Sequence, residues 1–439
     1  MITTALNHLD ATFLNIERPQ DPWSIHLELH LQKRIDEERL RAAIRHAQRL
    51  HPLARARLRP YHAGSLSYSW EIGERSDVEP LRVRAADTGQ ELAELRAELL
   101  SASVPLDVSP GFRLLLVRVP DGDRLLINLH HAVADGLSAF RIMTSIVRRY
   151  AGEEDPVPGV DPLAVRDLRS LAAAQSLRER MERLGLFAEY LMRSTTAPVR
   201  VNGRGVPAGD PDEAPGYGVH LLGLTAEETA RFLASRRKPA TINDMLLAGL
   251  ALTIREWNRD TGGRTGKISM MMPVNLRPRE WWFEVVSNFS SYVNVILHEP
   301  DQRDFAAAVS AVCRQTVRLK EAGAAGTLID VLSIPRFLPA VLKARLREIA
   351  PTVGRGHVQT SWLSNLGRLA AAPVMGDAGP VSAIYFSPPA HMPMGVSVGA
   401  VSLEDRMTLT LRYRKAVFDA AAAKEFAERY RAILLGDGR

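Results

Sequence analysis

The stretch Arg124 to Gly136, RLLINLHHAVADG, decides how the rest of the chain is read. Leu125, Ile127 and Leu129 alternate with Arg124, Leu126 and Asn128, the two-residue period of a strand, and the run stops at His130, His131 and then Asp135-Gly136. Upstream, Phe112 to Val119 also reads as a strand, and Pro120-Asp121-Gly122-Asp123 is a turn signal, so the two strands are expected to form a hairpin. The histidines then stand at a strand tip. Imidazole, with an unperturbed pKa of about 6.5, takes and returns a proton near neutral pH, which is the chemistry of a general base. A bare pair of histidines is more often two unrelated residues, but HHxxxDG is far more restrictive than HH. Gly136 suits a tight turn, and Asp135 can accept hydrogen bonds from that turn or pair with an arginine. No HExxH and no third ligand at zinc-like spacing accompanies them, so no metal is assigned. Ser138 has no GxSxG elbow around it and is not read as a nucleophile.

His130, His131, Asp135 and Gly136 match the HHxxxDG motif of the chloramphenicol-acetyltransferase-like superfamily, and the chain resembles that group. It includes carnitine and plant acyltransferases, nonribosomal peptide condensation domains, and bacterial wax ester synthase/diacylglycerol acyltransferases. The resemblance implies that His131 deprotonates an acceptor hydroxyl or amine, which then attacks an acyl thioester. It implies that His130 supports the loop, and that Asp135 is turned away from the imidazole into a salt bridge. The implied fold class is α/β (α+β): two lobes, each a mixed sheet flanked by helices, with a tunnel at their interface. Acyl-CoA or a phosphopantetheine-linked acyl group on a carrier protein is the implied co-substrate, an alcohol or amine the acceptor, and no bound cofactor is expected. Three hypotheses follow: a wax ester or triacylglycerol type O-acyltransferase, a free-standing condensation-like acyltransferase of specialised metabolism, and a non-catalytic relative that binds a carrier protein or other partner.

Composition sets the outer limits. At 439 residues the chain has room for about three domains or a single two-lobed enzyme, and 46% hydrophobic with 24% charged residues is the balance of a globular protein. A net charge of +6 from 56 basic and 50 acidic residues is too even for a nucleic-acid binder and would suit an acidic partner such as coenzyme A or an acyl carrier protein. Cys313, the only cysteine, excludes an intrachain disulfide and sits in an amphipathic helical pattern as an inert thiol. The start of the chain lacks a signal-peptide pattern, and no window reaches the roughly eighteen apolar residues of a membrane span. A cytoplasmic location is expected, with peripheral membrane contact open if the substrates are lipids.

In chain order, Ile25, Leu27, Leu29 and Leu31 alternate as a strand, and Asp36 caps a helix that Pro52 stops. The following HPLARARL resembles the arginine-bearing segment of condensation domains, which makes Arg55 the first candidate partner for Asp135. Pro105-Leu106-Asp107 with Pro110-Gly111-Phe112 is similar to the wax synthase PLW or PLF element, with Gly111 in the place of leucine. A helix follows Gly136, another is expected from Pro162 to about Met192, and residues 194–216, rich in Pro, Gly and charge, read as a crossover. The expected division is residues 1–193, the crossover 194–216, and residues 217–439. In the second part, Asn243-Asp244 before an apolar helix resembles the ND motif of wax ester synthases, and is also an ordinary cap pattern. PVNLRP resembles a signature of condensation-like acyltransferases and places Asn275 and Arg277, the latter the alternative partner for Asp135 or a positive charge facing a phosphate. In the superfamily that the chain resembles, a strand like the one that Asn288 and Ser290 enter lies by the catalytic tunnel, so the resemblance makes Asn288 or Ser290 a candidate hydrogen-bond donor to an oxyanion. Two helices are expected at Asp304 to Ala322 and Thr327 to Ala350, broken at Pro335. Ser364-Asn365-Leu366-Gly367 resembles a late SN-containing motif; three strands and a terminal helix close the chain. The DFGWG motif of the plant branch is absent.

Overall fold

The computed structural model describes all residues except 158, 173, 194–195, 207–215, 334–337, 344, 346–358 and 438–439. The first half runs β1 (Ile2–Ala5), α1 (His8–Ile16), β2 (Ser24–Leu31), α2 (Glu37–Leu50), β3 (Ala56–Leu58), β4 (Ser69–Ile72), β5 (Leu81–Ala85), α3 (Gly89–Ser101), β6 (Phe112–Val119), β7 (Gly122–His130), α4 (Gly136–Ala151), α5 (Leu168–Ala172) and α6 (Leu177–Arg193). The second half runs β8 (Tyr217–Gly223), α7 (Ala226–Ala234), α8 (Ile242–Asp260), β9 (Ile268–Asn275), β10 (Ser290–Leu297), α9 (Phe305–Glu321), α10 (Ala325–Ser333), β11 (Ser361–Leu369), β12 (Val381–Ser387), β13 (Val396–Leu403), β14 (Arg406–Arg414) and α11 (Ala420–Leu435).

The hairpin forms as the sequence predicts, β6 antiparallel to β7 with Val119 opposite Gly122. Gly122 is required here: its φ is +135°, and a Cβ would stand 2.0 Å from the Leu31 carbonyl oxygen. The first sheet has the order β12-β2-β7-β6-β5 and the second β10-β9-β11-β13-β14-β8, and each mixes parallel with antiparallel pairs. These are two lobes, each a mixed sheet with helices, as expected. β7 is buried along its whole length: sheet neighbours flank it, Leu125, Ile127 and Leu129 join the core that includes Ile142 and Ile146 of α4, and Leu126 packs with Leu95 and Leu99 of α3. One strand crosses the division expected at residues 194–216: β12, from the second half, pairs antiparallel with β2 and completes the first sheet.

Other departures have local causes. The helical stretch expected from Pro162 to Met192 is two helices, because Ser176 accepts the Glu179 N–H at 3.1 Å and starts α6 afresh. The helix expected through Thr327 to Ala350 is described as α10, ending at Ser333; Pro335 lies outside the described residues. Cys313 is buried in α9.

Candidate active site

The site grows from the end of β7. The His130 N–H bonds the Gly111 carbonyl at 3.0 Å and the His131 N–H bonds the Trp23 carbonyl at 2.7 Å, so β6 and the start of β2 fix the backbone on both sides. Gly111, where the wax synthase pattern has leucine, is explained here: a Cβ would stand 2.5 Å from Cγ2 of Val133 in the histidine loop. Asp135 caps α4 by accepting the Ser138 N–H at 3.0 Å. Gly136 is needed for close packing rather than for a turn, since its Cβ would meet Leu366 and Phe386 at about 3.1 Å. Both neighbours come from the second half of the chain.

His130 and His131 have different surroundings. Nδ1 of His130 accepts the Ala132 N–H at 3.0 Å, so its proton is on Nε2, which donates to Glu17 Oε2 at 2.6 Å. That ring holds the loop. His131 is 3% exposed, and its ring stacks on Phe13 at 4.0 Å between centroids, with Trp362 at 6.2 Å. Trp23 bridges this group to His391, on which it stacks at 3.9 Å. Burial among these rings pushes the His131 pKa down to about 4, outweighing its own carbonyl and Asp135, which both favour the charged ring. The imidazole is therefore neutral at pH 7. Nδ1 is enclosed on the side of the residue's own carbonyl, which leaves Nε2 as the nitrogen able to present a lone pair to a ligand.

Asp135 faces away from the ring. Its two oxygens receive Arg277 in a fork, Nη1 to Oδ2 at 2.6 Å and Nη2 to Oδ1 at 2.8 Å, and Oδ2 also takes the Phe289 N–H at 2.9 Å. Burial alone would raise the carboxyl; the Arg277 guanidinium and these donors overcome it and hold the pKa below the usual carboxylate range. Arg277 further donates to Ser138 Oγ at 2.7 Å and to the Ser287 carbonyl at 2.9 Å, and lies over the Phe289 ring. One guanidinium thus ties the histidine loop to the 285–289 segment of the second half.

Arg277, not Arg55, is the partner of Asp135. Arg55 instead donates to the carbonyls of Gly73, Gln48 and Arg49, capping the end of α2. Asn275 supports Arg277, its Oδ1 accepting the Arg277 N–H at 3.1 Å. Asn288 donates Nδ2 to the His131 carbonyl at 2.8 Å, and its Oδ1 is buried without a partner. Ser290 is half-buried opposite Asn275 at the start of β10. The other residues are structural in their contacts. Thr241 caps α8 and Asp244 completes a capping box, also accepting Thr316 Oγ1 at 2.7 Å, while the Asn243 amide meets Met272 Sδ. Ser364 is half-buried on β11. Asn365 accepts the Gly367 N–H at 2.9 Å, stabilising a register shift that brings Leu366 against Gly136.

Phe13, Glu17, Trp23, Trp362 and His391 belong to the site and escape the sequence reading. So does Asn7, which caps α1 and donates to the Asn288 carbonyl at 2.9 Å; the Asn7-to-Asp10 capping box was the available signal. Among the described residues no three His, Cys, Asp or Glu side chains gather as a metal site would require.

A condensation-domain family model matches residues 12–180. An uncharacterized protein of Mycobacterium tuberculosis is 35% identical over 436 residues, covering 99% of each chain. The chain belongs to the condensation-domain family. Its fold is that of the first condensation domain of the CDA synthetase, with a TM-score of 0.71 at 17% identity over 99% of this chain and 96% of that one. The wax ester synthase/diacylglycerol acyltransferase of Marinobacter aquaeolei VT8 matches with a TM-score of 0.63 at 15% identity over 99% of both. The condensation-domain HHxxxDG element is thus present here as one histidine in the loop scaffold, one buried neutral histidine, and an aspartate locked on Arg277.

Proposed function

We propose that this protein transfers an acyl group from an acyl thioester to a hydroxyl or amine, with His131 as general base. The observation that carries the reading is a buried imidazole kept neutral, with no carboxylate on either ring nitrogen and its backbone held from both sides. Nε2 takes the acceptor proton as the acceptor's oxygen or nitrogen bonds the thioester carbonyl carbon. On collapse the carbon–sulfur bond breaks and the sulfur leaves with the proton from the imidazolium. Burial destabilises that imidazolium, which favours handing the proton on. Asp135, engaged with Arg277, takes no part in the transfer, and no acyl-enzyme is required. The second amide hydrogen of Asn288 and the Ser290 hydroxyl are the donors proposed for the oxyanion.

The donor is acyl-CoA or a phosphopantetheine-linked acyl group, and donor and acceptor approach His131 from opposite mouths of a tunnel between the lobes. The condensation-domain match over residues 12–180 supports a condensation-like enzyme over the wax ester type. No helix of the described residues is long and apolar enough to cross a membrane. The test is thiol release from a panel of acyl-CoAs and acyl carrier proteins, each with alcohol, diacylglycerol and amine acceptors. Acceptor-dependent release supports the reading and ranks the acceptors; no release from any donor favours the non-catalytic alternative.

A further inference from the structure

A cavity of about 690 Å³ lies away from the histidine loop, between the end of α2, the turn after it and the loop 73–80. Its volume is within the roughly 300–1,000 Å³ of small-molecule sites. Arg45, Arg49 and Arg75 line it, are exposed, and form no ion pair among the described residues. The acids on the same wall are mostly engaged elsewhere: Asp77 accepts the Ser109 N–H at 2.9 Å and faces Arg57 at 3.6 Å, and Glu79 faces Arg41 at 3.6 Å. Among the described residues, Glu74 is the one acid of this wall without an arginine in ion-pair range.

Two further polar groups on the wall are unsatisfied. Gln48 is 7% exposed, and its Nε2, a donor, is buried with no partner; the Ser76 hydroxyl is likewise buried without one. Buried donors without acceptors are costly, and a ligand oxygen would relieve them. A helix C-terminus would ordinarily repel an anion here through its free carbonyls. Arg55 removes that obstacle, since its guanidinium already covers the carbonyls of Gln48 and Arg49 in the last turn of α2.

We propose that this cavity is a second ligand site, which binds a nucleotide-sized molecule through a phosphate group. Guanidiniums match phosphate geometry in a fork, and three of them with two unpartnered neutral groups suit two or more phosphoryl oxygens. A free nucleotide and the nucleotide end of a coenzyme A thioester both present this chemistry. The site stands independently of the acyl-transfer reading.

The test is calorimetric titration of the full chain with pyrophosphate, ADP and coenzyme A at low ionic strength, where exposed charges are least screened. The variants are Arg45→Ala/Arg49→Ala/Arg75→Ala and Glu74→Gln. These side chains are exposed and carry no ion pair, so the thermal melts of both variants should match the native one. Saturable binding of at least one probe, weakened about tenfold or more in the triple variant and tightened in Glu74→Gln, upholds the site. Tightest binding by ADP names a free nucleotide, and by coenzyme A the thioester carrier. No binding of any probe, or equal binding by native and triple variant, overturns it.

Discussion

Replacing Arg277 with methionine should destabilise the protein by about 3–5 kcal/mol, because the change leaves a buried carboxylate without its counter-charge. Asp135 is 1% exposed. After the substitution its oxygens keep only the Ser138 and Phe289 N–H groups, at 3.0 and 2.9 Å. The Ser138 hydroxyl and the Ser287 carbonyl each lose a donor as well. The penalty has a characteristic pH dependence. In the native chain the Asp135 pKa lies below the unfolded value of about 3.8, so its contribution is present above that pH and is lost on further acidification. Without Arg277, burial dominates and raises the carboxyl above 3.8, so the variant loses stability as pH rises through the new value. The gap between native and variant should be widest at pH 7 and narrow toward pH 4. Urea unfolding midpoints of the two proteins across that range measure it, and Asp135→Asn/Arg277→Met should recover part of the loss. A gap below about 1 kcal/mol at pH 7, or one that does not change with pH, would refute the reasoning.

Gly136→Ala should cost about 1–3 kcal/mol by overpacking against Leu366 and Phe386, read as a lowered urea midpoint; an unchanged midpoint would mean that the junction has slack. The His131 ring should titrate near pH 4 in the native chain by proton magnetic resonance, and Phe13→Ala, which opens the ring to water, should move it toward 6.5 at a stability loss of about 3–5 kcal/mol. Because the native value lies below the unfolded one, His131 contributes stability above about pH 6.5 that is lost as pH falls toward 4.

The hairpin and the histidine loop were legible because short-range signals dictate them: the period-two run of β7, the turn at Gly122, and Asp135 three residues before Ser138 as a helix cap; the two lobes were legible only through the family that HHxxxDG resembles. Arg277 was legible only as one of two arginines. Choosing it requires knowing that residues 285–289 fold back onto α4, a pairing of positions 142 apart in sequence that no local pattern encodes. The aromatic enclosure was illegible for the same reason. Phe13, Trp23 and Trp362 stand on separate elements, each an ordinary apolar residue in its own context, and gather around His131 only after α1, β2, β7 and β11 are placed. The strand β12 shows the limit most plainly: its alternation marks it as a strand, but nothing in residues 381–387 says that it joins the sheet of the other lobe.

The central claim is that the neutral His131 ring is the base of an acyl transfer. Its most direct test compares acceptor-dependent thiol release by the native chain with that of His131→Ala, each checked for an unchanged urea midpoint or melt. The rate should fall by about 10²–10⁴-fold or more while the fold is retained. A folded His131→Ala protein that turns over within a few-fold of the native rate would contradict the account.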